Sequence, residues 1–423
     1  MVKMKDSGIE WIGEVPNSWK IAPIYYCATE VNSKNQNMEA KNALKFTYGS
    51  IVNKEGFNVD EDPQLEQTLR GYVLVKKNNI IINGLNLNYD FVTQRVGRVT
   101  QNKGAITSAY IAISVNDNCV SKYFMYLLKS YDSKKAFHNM GGGVRKILNF
   151  NSLSKQKVPL PSKIEQQHIA DFLDKKTGTI DATINKINDE IELLKQYQNS
   201  VITQAVTKGL DPNVPMKDSG ISYIGKIPQK WRVEKIKYRS TEIGEKSKLS
   251  DLHFNYIGLE NVQKHMGRFI KTDSEYVDTW YDSCIKGDIL YSRLRPNLGK
   301  VLISPVNACC TGEFQVLRGH DIENKYLFYY LLSNVITRET SMAIYGAKMP
   351  RVSWHFVSNL KISFPDNSEQ KKICIYLDEK CNKIYSLIKA KRQQISQLTD
   401  YKNSLIFDYV TGKKRVPEIK EMA

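Results

Sequence analysis

Two stretches of the chain repeat apolar residues in alternating steps of three and four. In the first, Ile180, Ile184, Ile187, Ile191, Leu194, Val201 and Ala205 form the series, with Gln198 as its polar member. In the second, Ile384, Ile388, Ile395, Leu398, Leu405 and Tyr409 hold the same register, interrupted by Lys391 and Lys402. This spacing is a heptad seam, and it predicts a helix whose apolar stripe needs a covering partner. Pro161-Ser162 and Pro365-Asp366 stand where the helices would start, with Ser or Asp available as caps. Gly209 and Gly412 stand where they would stop. Each helix would run about 40 residues, roughly 60 Å, far beyond the mean of about 11–12 residues in globular proteins. A helical spacer is therefore expected rather than two core helices. The simplest cover for each seam is the other.

The seams belong to a larger repeat. Residues 4–20 read MKDSGIEWIGEVPNSWK and residues 216–232 read MKDSGISYIGKIPQKWR, with ten of the 17 paired positions identical. Further on, EQQHIADFLDKKT at 165–177 matches EQKKICIYLDEKC at 369–381. Leu194, Tyr197, Asn199 and Ser200 then match Leu398, Tyr401, Asn403 and Ser404, and Val206-Thr207 matches Val410-Thr411. The intervening segments are much less alike. The chain thus reads as two shared frames around two dissimilar inserts. In the frames, Ile9, Trp11, Ile12, Val15 and Trp19, repeated as Ile221, Tyr223, Ile224, Ile227 and Trp231, suit docking against a helix end.

Within the inserts, 73–82, 91–99, 109–115, 288–292, 300–304 and 314–318 have strand-like composition. Residues 123–130 and 326–333 read as helices. Gly-, Asn- and Lys-rich turns separate them. The expected class is α+β: two α/β-type domains in tandem with pseudo-two-fold repetition and two long antiparallel coiled-coil helices. The expected boundaries are 1–162 and 210–366 for the domains, 163–209 and 367–412 for the helices, and 413–423 for a tail.

Charge narrows the function. Of 423 residues, 61 are Lys or Arg and 44 Asp or Glu, a net charge of +17. That excess suits a polyanion, because phosphate contacts release counterions. The seven cysteines (Cys27, Cys119, Cys284, Cys309, Cys310, Cys374, Cys381) include no C-x-x-C pair, which points to reduced, buried thiols rather than disulfides or zinc. The start MVKMKDSGIEW has no apolar leader core, and no apolar run reaches membrane-spanning length. A cytoplasmic protein is expected.

The two MKDSGI…IG…P…W frames, the Pro159, Pro161 and Pro365 steps, the EQ…I…L helix starts and the closing VTKG and VTGK together resemble the DNA-specificity subunits of type I restriction–modification complexes. The resemblance covers essentially the whole chain. It implies two target-recognition domains, each reading one half of a split DNA sequence, with helix length setting the gap. It also implies two modification subunits docked on the frames and helices, carrying S-adenosylmethionine and methylating an adenine in each half-site, with a restriction subunit where one is present. No cofactor and no metal is expected in this chain. Because the inserts differ, the half-sites should differ too.

Base-edge readout needs Arg, Lys, Asn or Gln in a groove. In the first insert the candidates are Asn86, Asn88, Tyr89, Gln94, Arg95 and Arg98, then Gly142, Gly143, Arg145 and Lys146 in a glycine-rich loop. In the second they are Arg293, Arg295, Asn297 and Lys300, then Tyr345, Lys348 and Arg351 at the position matching that loop. A self-contained methyltransferase or nuclease is the catalytic rival. The chain offers no G-x-G-x-x-G after a strand, no N/D-P-P-Y/F turn, no phosphate loop and no zinc-spaced histidines. The remaining alternative is a stand-alone two-domain DNA-binding repressor or scaffold.

Overall fold

The structure is a computed structural model, described here for residues 3–57, 59, 62–88, 94–143, 146–272, 274–346 and 349–417. The chain forms two compact units: Met1–Asn185 with Gln394–Ala423, and Lys186–Gln393. Each unit therefore contains one insert, one frame and part of both long helices.

The long helices span Lys163–Lys208 and Asn367–Val410. Their seams are buried as the heptads require. Ile180, Ile187, Ile191, Val201, Ile384, Ile388 and Leu405 are buried, while Ile184, Leu194, Ile395 and Leu398 are half-buried. In the first unit, Phe172 packs on Tyr409 with ring centroids 4.5 Å apart, and Lys402 donates to both carboxylate oxygens of Asp181 at 2.6 and 2.8 Å. One helix rises as the other descends, so they run antiparallel. In the second unit Lys391 reaches Glu190 in the same sense. The two lysines that interrupt the seam lay their stems along it and carry their charges to an acid at its rim.

Each frame begins as a hairpin, Met4–Asp6 on Glu14–Pro16 and Met216–Asp218 on Lys226–Pro228. It continues as a strand that closes the base of the insert: Lys20–Pro23 on Lys157–Leu160, and Arg232–Lys235 on Lys361–Phe364. Trp19 and Trp231 are buried and donate their indole N–H to Glu165 and Glu369, both at 3.2 Å. Tyr123 donates its hydroxyl toward the carbonyls of Pro159 and Val410, and Tyr326 toward those of Ser363 and Val206. Gln166 and Gln370 each accept from a backbone N–H ahead of an insert helix and donate back to a proline carbonyl. Gly412 sits at φ +73°, and a Cβ there would lie 2.3 Å from the Pro16 ring. The repeated residues are thus those that seat each insert on one helix start and the other helix's end.

The inserts share a strand plan despite their sequences. One four-stranded antiparallel sheet has the order Ala28–Glu30, Ile111–Val115, Ile80–Ile82, Val96–Arg98; its counterpart runs Ser240–Glu242, Phe314–Gly319, Ile289–Ser292, Val301–Ile303. A second sheet in each contains one parallel pair, Ala43–Thr47 with Lys103–Ile106 and Tyr256–Ile257 with Ala308–Cys310. Helices Ser121–Ser133 and Asn324–Leu332 cover the sheets. The single strand expected over 73–82 is two, Val73–Lys76 and Ile80–Ile82. Asn78 breaks it by taking φ +75°, and the Asn79 carboxamide accepts from the Lys76 N–H at 2.7 Å. The short helix Pro63–Arg70, capped by Asp62, was not anticipated.

Replacing Ile388, which has no exposed surface, by Asp leaves a buried carboxylate and costs on the order of 3–5 kcal/mol. Ile184→Asp, at a half-buried position, costs less. Thermal unfolding should show the larger drop in midpoint for Ile388→Asp; unchanged midpoints in both would contradict a packed seam.

Candidate nucleic-acid interface

The structure joins the two candidate loops of the first insert. The segment after Ile80–Ile82 turns through Asn83, Gly84 and Leu85 to Asn86 and Asn88. Its neighbour is a tight hairpin in which the Gly142 and Ile147 backbones exchange hydrogen bonds at 3.2 and 3.0 Å. The segments are stapled by Leu87 N–H to the Lys146 carbonyl at 3.1 Å and Leu148 N–H to the Gly84 carbonyl at 2.9 Å. Leu87 is buried, while Asn88, Gly142, Gly143 and Lys146 are exposed and Asn86 is half-buried. Gln94 is exposed beside them. Tyr89 and Arg145 lie outside the described residues.

One placement corrects the sequence reading. Arg95 was expected to face DNA, but none of its side chain is exposed. Its guanidinium donates to the carbonyls of Leu85 at 2.6 Å, Asn86 at 3.1 Å and Asn83 at 3.2 Å, and its backbone N–H donates to Asp132 at 2.6 Å. Burial lowers the Arg95 pKa and raises that of Asp132, and each charge opposes the shift of the other. Arg98 pairs with Ile80, at the end of the strand pair away from Asn83–Asn88, and binds the Asn78 carboxamide oxygen at 2.5 Å. A polar residue beside a loop can face inward or outward, and residue type alone does not decide which.

The second insert repeats the arrangement with other residues. After Ile289–Ser292 the chain passes through Arg293 to exposed Arg295 and Asn297. Beside it, Tyr345 and Arg351 exchange backbone hydrogen bonds, both 2.9 Å. The staples are Arg295 N–H to the Pro350 carbonyl at 2.8 Å and Val352 N–H to the Arg293 carbonyl at 3.0 Å. Arg351 grips both oxygens of Glu313 at 3.1 and 2.5 Å, which holds that carboxyl below its usual range, and Arg293 donates to the Gly312 carbonyl at 2.6 Å. Lys300 is half-buried, with its ammonium on the Leu259 carbonyl and its pKa lowered by burial. Lys348 lies outside the described residues.

One candidate was missed. Tyr48, 80% exposed, forms the tip of the hairpin joining Ala43–Thr47 to Ser50–Asn53. Gly49 beside it has φ +76°, and a Cβ there would lie 3.1 Å from the Gln94 side chain. The signal was the Tyr-Gly step between strand-like runs. An exposed aromatic next to an amide suits contact with sugar or base.

Among the described residues no cluster of metal-ligating side chains is present, and no helix is long and apolar enough to cross a membrane. All seven cysteines are buried and free.

The family model for the type I restriction modification DNA specificity domain matches twice, at residues 29–193 and 225–397. The chain belongs to this specificity-domain family. Each match takes in one insert and much of the helix that follows it. Similar proteins include the type I restriction enzyme MjaVIII specificity subunit of Methanocaldococcus jannaschii, 26% identical over 82% of this chain and 81% of that protein. The putative MjaX specificity subunit of the same organism is 24% identical over 96% of each. A solved chain from a study of complex assembly and conformational transition of the type I R-M system has the same fold, with a TM-score of 0.64 and 12% identity, covering 95% of this chain and 99% of that one.

The Arg351–Glu313 pair is bidentate but partly exposed, so solvent screens much of its attraction. Arg351→Ala should speed hydrogen exchange at the Val352 amide by up to about fivefold. Because the folded Glu313 pKa is depressed, the pair's contribution is present above the ordinary carboxylate value and lost as pH falls through the lower folded value. The variant's excess exchange should vanish at that acid limit; a difference persisting there would assign the effect to something other than the ion pair.

Proposed function

We propose that this chain is the DNA-reading subunit of a type I restriction–modification complex. One insert reads each half of a split, asymmetric target and directs adenine-N6 methylation by partner subunits, and restriction where a restriction subunit joins. The observation that carries this reading is the duplicated pair of stapled loops. Each insert presents polar side chains, exposed or half-exposed, at this stapled edge of a shared strand plan, within a chain of the specificity-domain family. The residues differ between the copies: Asn86, Asn88, Gln94 and Lys146 in one, Arg293, Arg295, Asn297 and Tyr345 in the other. Amide-rich and Arg-rich edges favour different bases, so the half-sites differ. The chain is a reader without catalysis of its own and binds no cofactor; S-adenosylmethionine sits on the modification subunits.

The frames supply the docking surfaces for two such subunits. Most repeated frame residues are spent on buried bonds, but Met4 and Met216 are 37% and 38% exposed, and Tyr197 and Tyr401 are 53% and 57% exposed. Matching exposed residues in two otherwise diverged copies fit one kind of partner bound twice. Tyr401→Ala should weaken capture of one modification subunit while leaving the thermal midpoint unchanged, read by the mass of the assembled complex; unaltered assembly would remove Tyr401 from the interface.

The decisive test is a genome-wide map of N6-methyladenine in source cells with and without the gene. Methylation at one split, asymmetric motif should disappear with the gene. Replacing residues 21–160 by the equivalent insert of another such subunit should alter one half of that motif only. An unchanged map with the partner subunits expressed would overturn the assignment.

A further inference from the structure

We infer that Arg95 and Asp132 form a buried latch that sets the base preference of the first insert by fixing the loop backbone, without Arg95 touching DNA. The inference rests on the reading of this chain as a DNA-specificity subunit.

The loop carrying Asn86 and Asn88 belongs to no sheet, so its carbonyls need donor partners from elsewhere. Arg95 supplies them for Asn83, Leu85 and Asn86 from one rigid fork of donors. Its backbone N–H is anchored in turn on Asp132. Asp132 stands on the helix Ser121–Ser133, whose Tyr123, Phe124, Leu127 and Leu128 are buried in the core of this unit. The latch thus ties the loop to a rigid part of the domain.

Asn86 is the residue most affected. It holds a left-handed backbone, φ +52°, with its carbonyl on Arg95, and the next residue, Leu87, is buried with its N–H on Lys146. Asn86 is therefore fixed on both sides, and the direction of its carboxamide follows from the latch. A Lys at 95 has a compact ammonium that cannot span three carbonyls. The second insert holds its loop by other means, Arg351 on Glu313 and Arg293 on the Gly312 carbonyl. Loss of the Arg95 latch should therefore be felt in one half-site only. General weakening of the chain would not produce that selectivity.

The experiment uses the complete complex with its modification subunits, and a DNA panel carrying every single-base change in both half-sites. Arg95→Lys and the milder Asp132→Asn are compared with the unaltered chain by methylation rate. Both variants should assemble and methylate, with the same salt dependence as the unaltered complex. Discrimination at one or two base pairs of one half-site should fall about tenfold, while the other half-site stays strict. Unchanged discrimination everywhere, equal losses in both half-sites, or loss of the folded chain in both variants would each overturn the proposal, the last by assigning the pair to domain stability. Failure of the underlying reading is distinguishable, because the unaltered complex would then show no base preference at all.

Discussion

The apolar seam between the two long helices is the constraint on which everything else depends. A helix of 46 residues with one apolar stripe has no stable place in water unless that stripe is covered. In each unit the stripe is covered by the other helix, running antiparallel. Antiparallel pairing brings the start of one helix beside the end of the other, and that junction is the seat of an insert. In the first unit the seat is formed by Glu165, Gln166, Val410 and Gly412 around Trp19 and Tyr123. In the second, Glu369, Gln370, Val206 and Gly209 surround Trp231 and Tyr326. Three segments remote in sequence meet at each seat, and none can change alone without orphaning a buried polar group.

This arrangement explains which residues repeat and which do not. The frame residues are committed to bonds that every copy of the seat requires, so the copies remain alike. The inserts need only preserve the strand order and the burial beneath it. Their loops share position and stapling but not chemistry. A buried Arg–Asp latch supports one, and a half-exposed Arg–Glu pair supports the other. Conserved seating with divergent loops is what a module needs if its target varies while its assembly does not.

Much of this was legible in the sequence because it is local or repeated. The heptad spacing located both long helices, and the duplicated MKDSGI and EQ motifs located both seats. Both loop pairs were found from their Gly, Asn and Arg content. What escaped depends on tertiary pairing. Nothing local announces that Ala43–Thr47 runs parallel to Lys103–Ile106, and that pairing is what orients the hairpin bearing Tyr48. The inward turn of Arg95 was hidden for the same reason. Its charge suggested a surface role, whereas its three carbonyl acceptors and Asp132 come from segments that meet it only in the fold. The break at Asn78 was a turn signal set inside an apolar run, and the run outweighed it.

The division between attraction and discrimination follows from the same geometry. A net charge of +17 draws the chain to any phosphate backbone, and such attraction carries no base information. A loop free to adjust would let its Asn and Arg side chains satisfy a wrong base as readily as a right one, so discrimination would be lost even as affinity rose. Choosing between bases requires that a mismatched edge meet a donor or acceptor that cannot move away. The staples from Leu87 to Lys146 and from Arg295 to Pro350, with the ion pairs beneath them, restrain that movement. On the proposed reading, the polar bonds concentrated under these loops hold the base-facing groups in place. The same reading gives a role to a fully buried guanidinium a few residues from solvent.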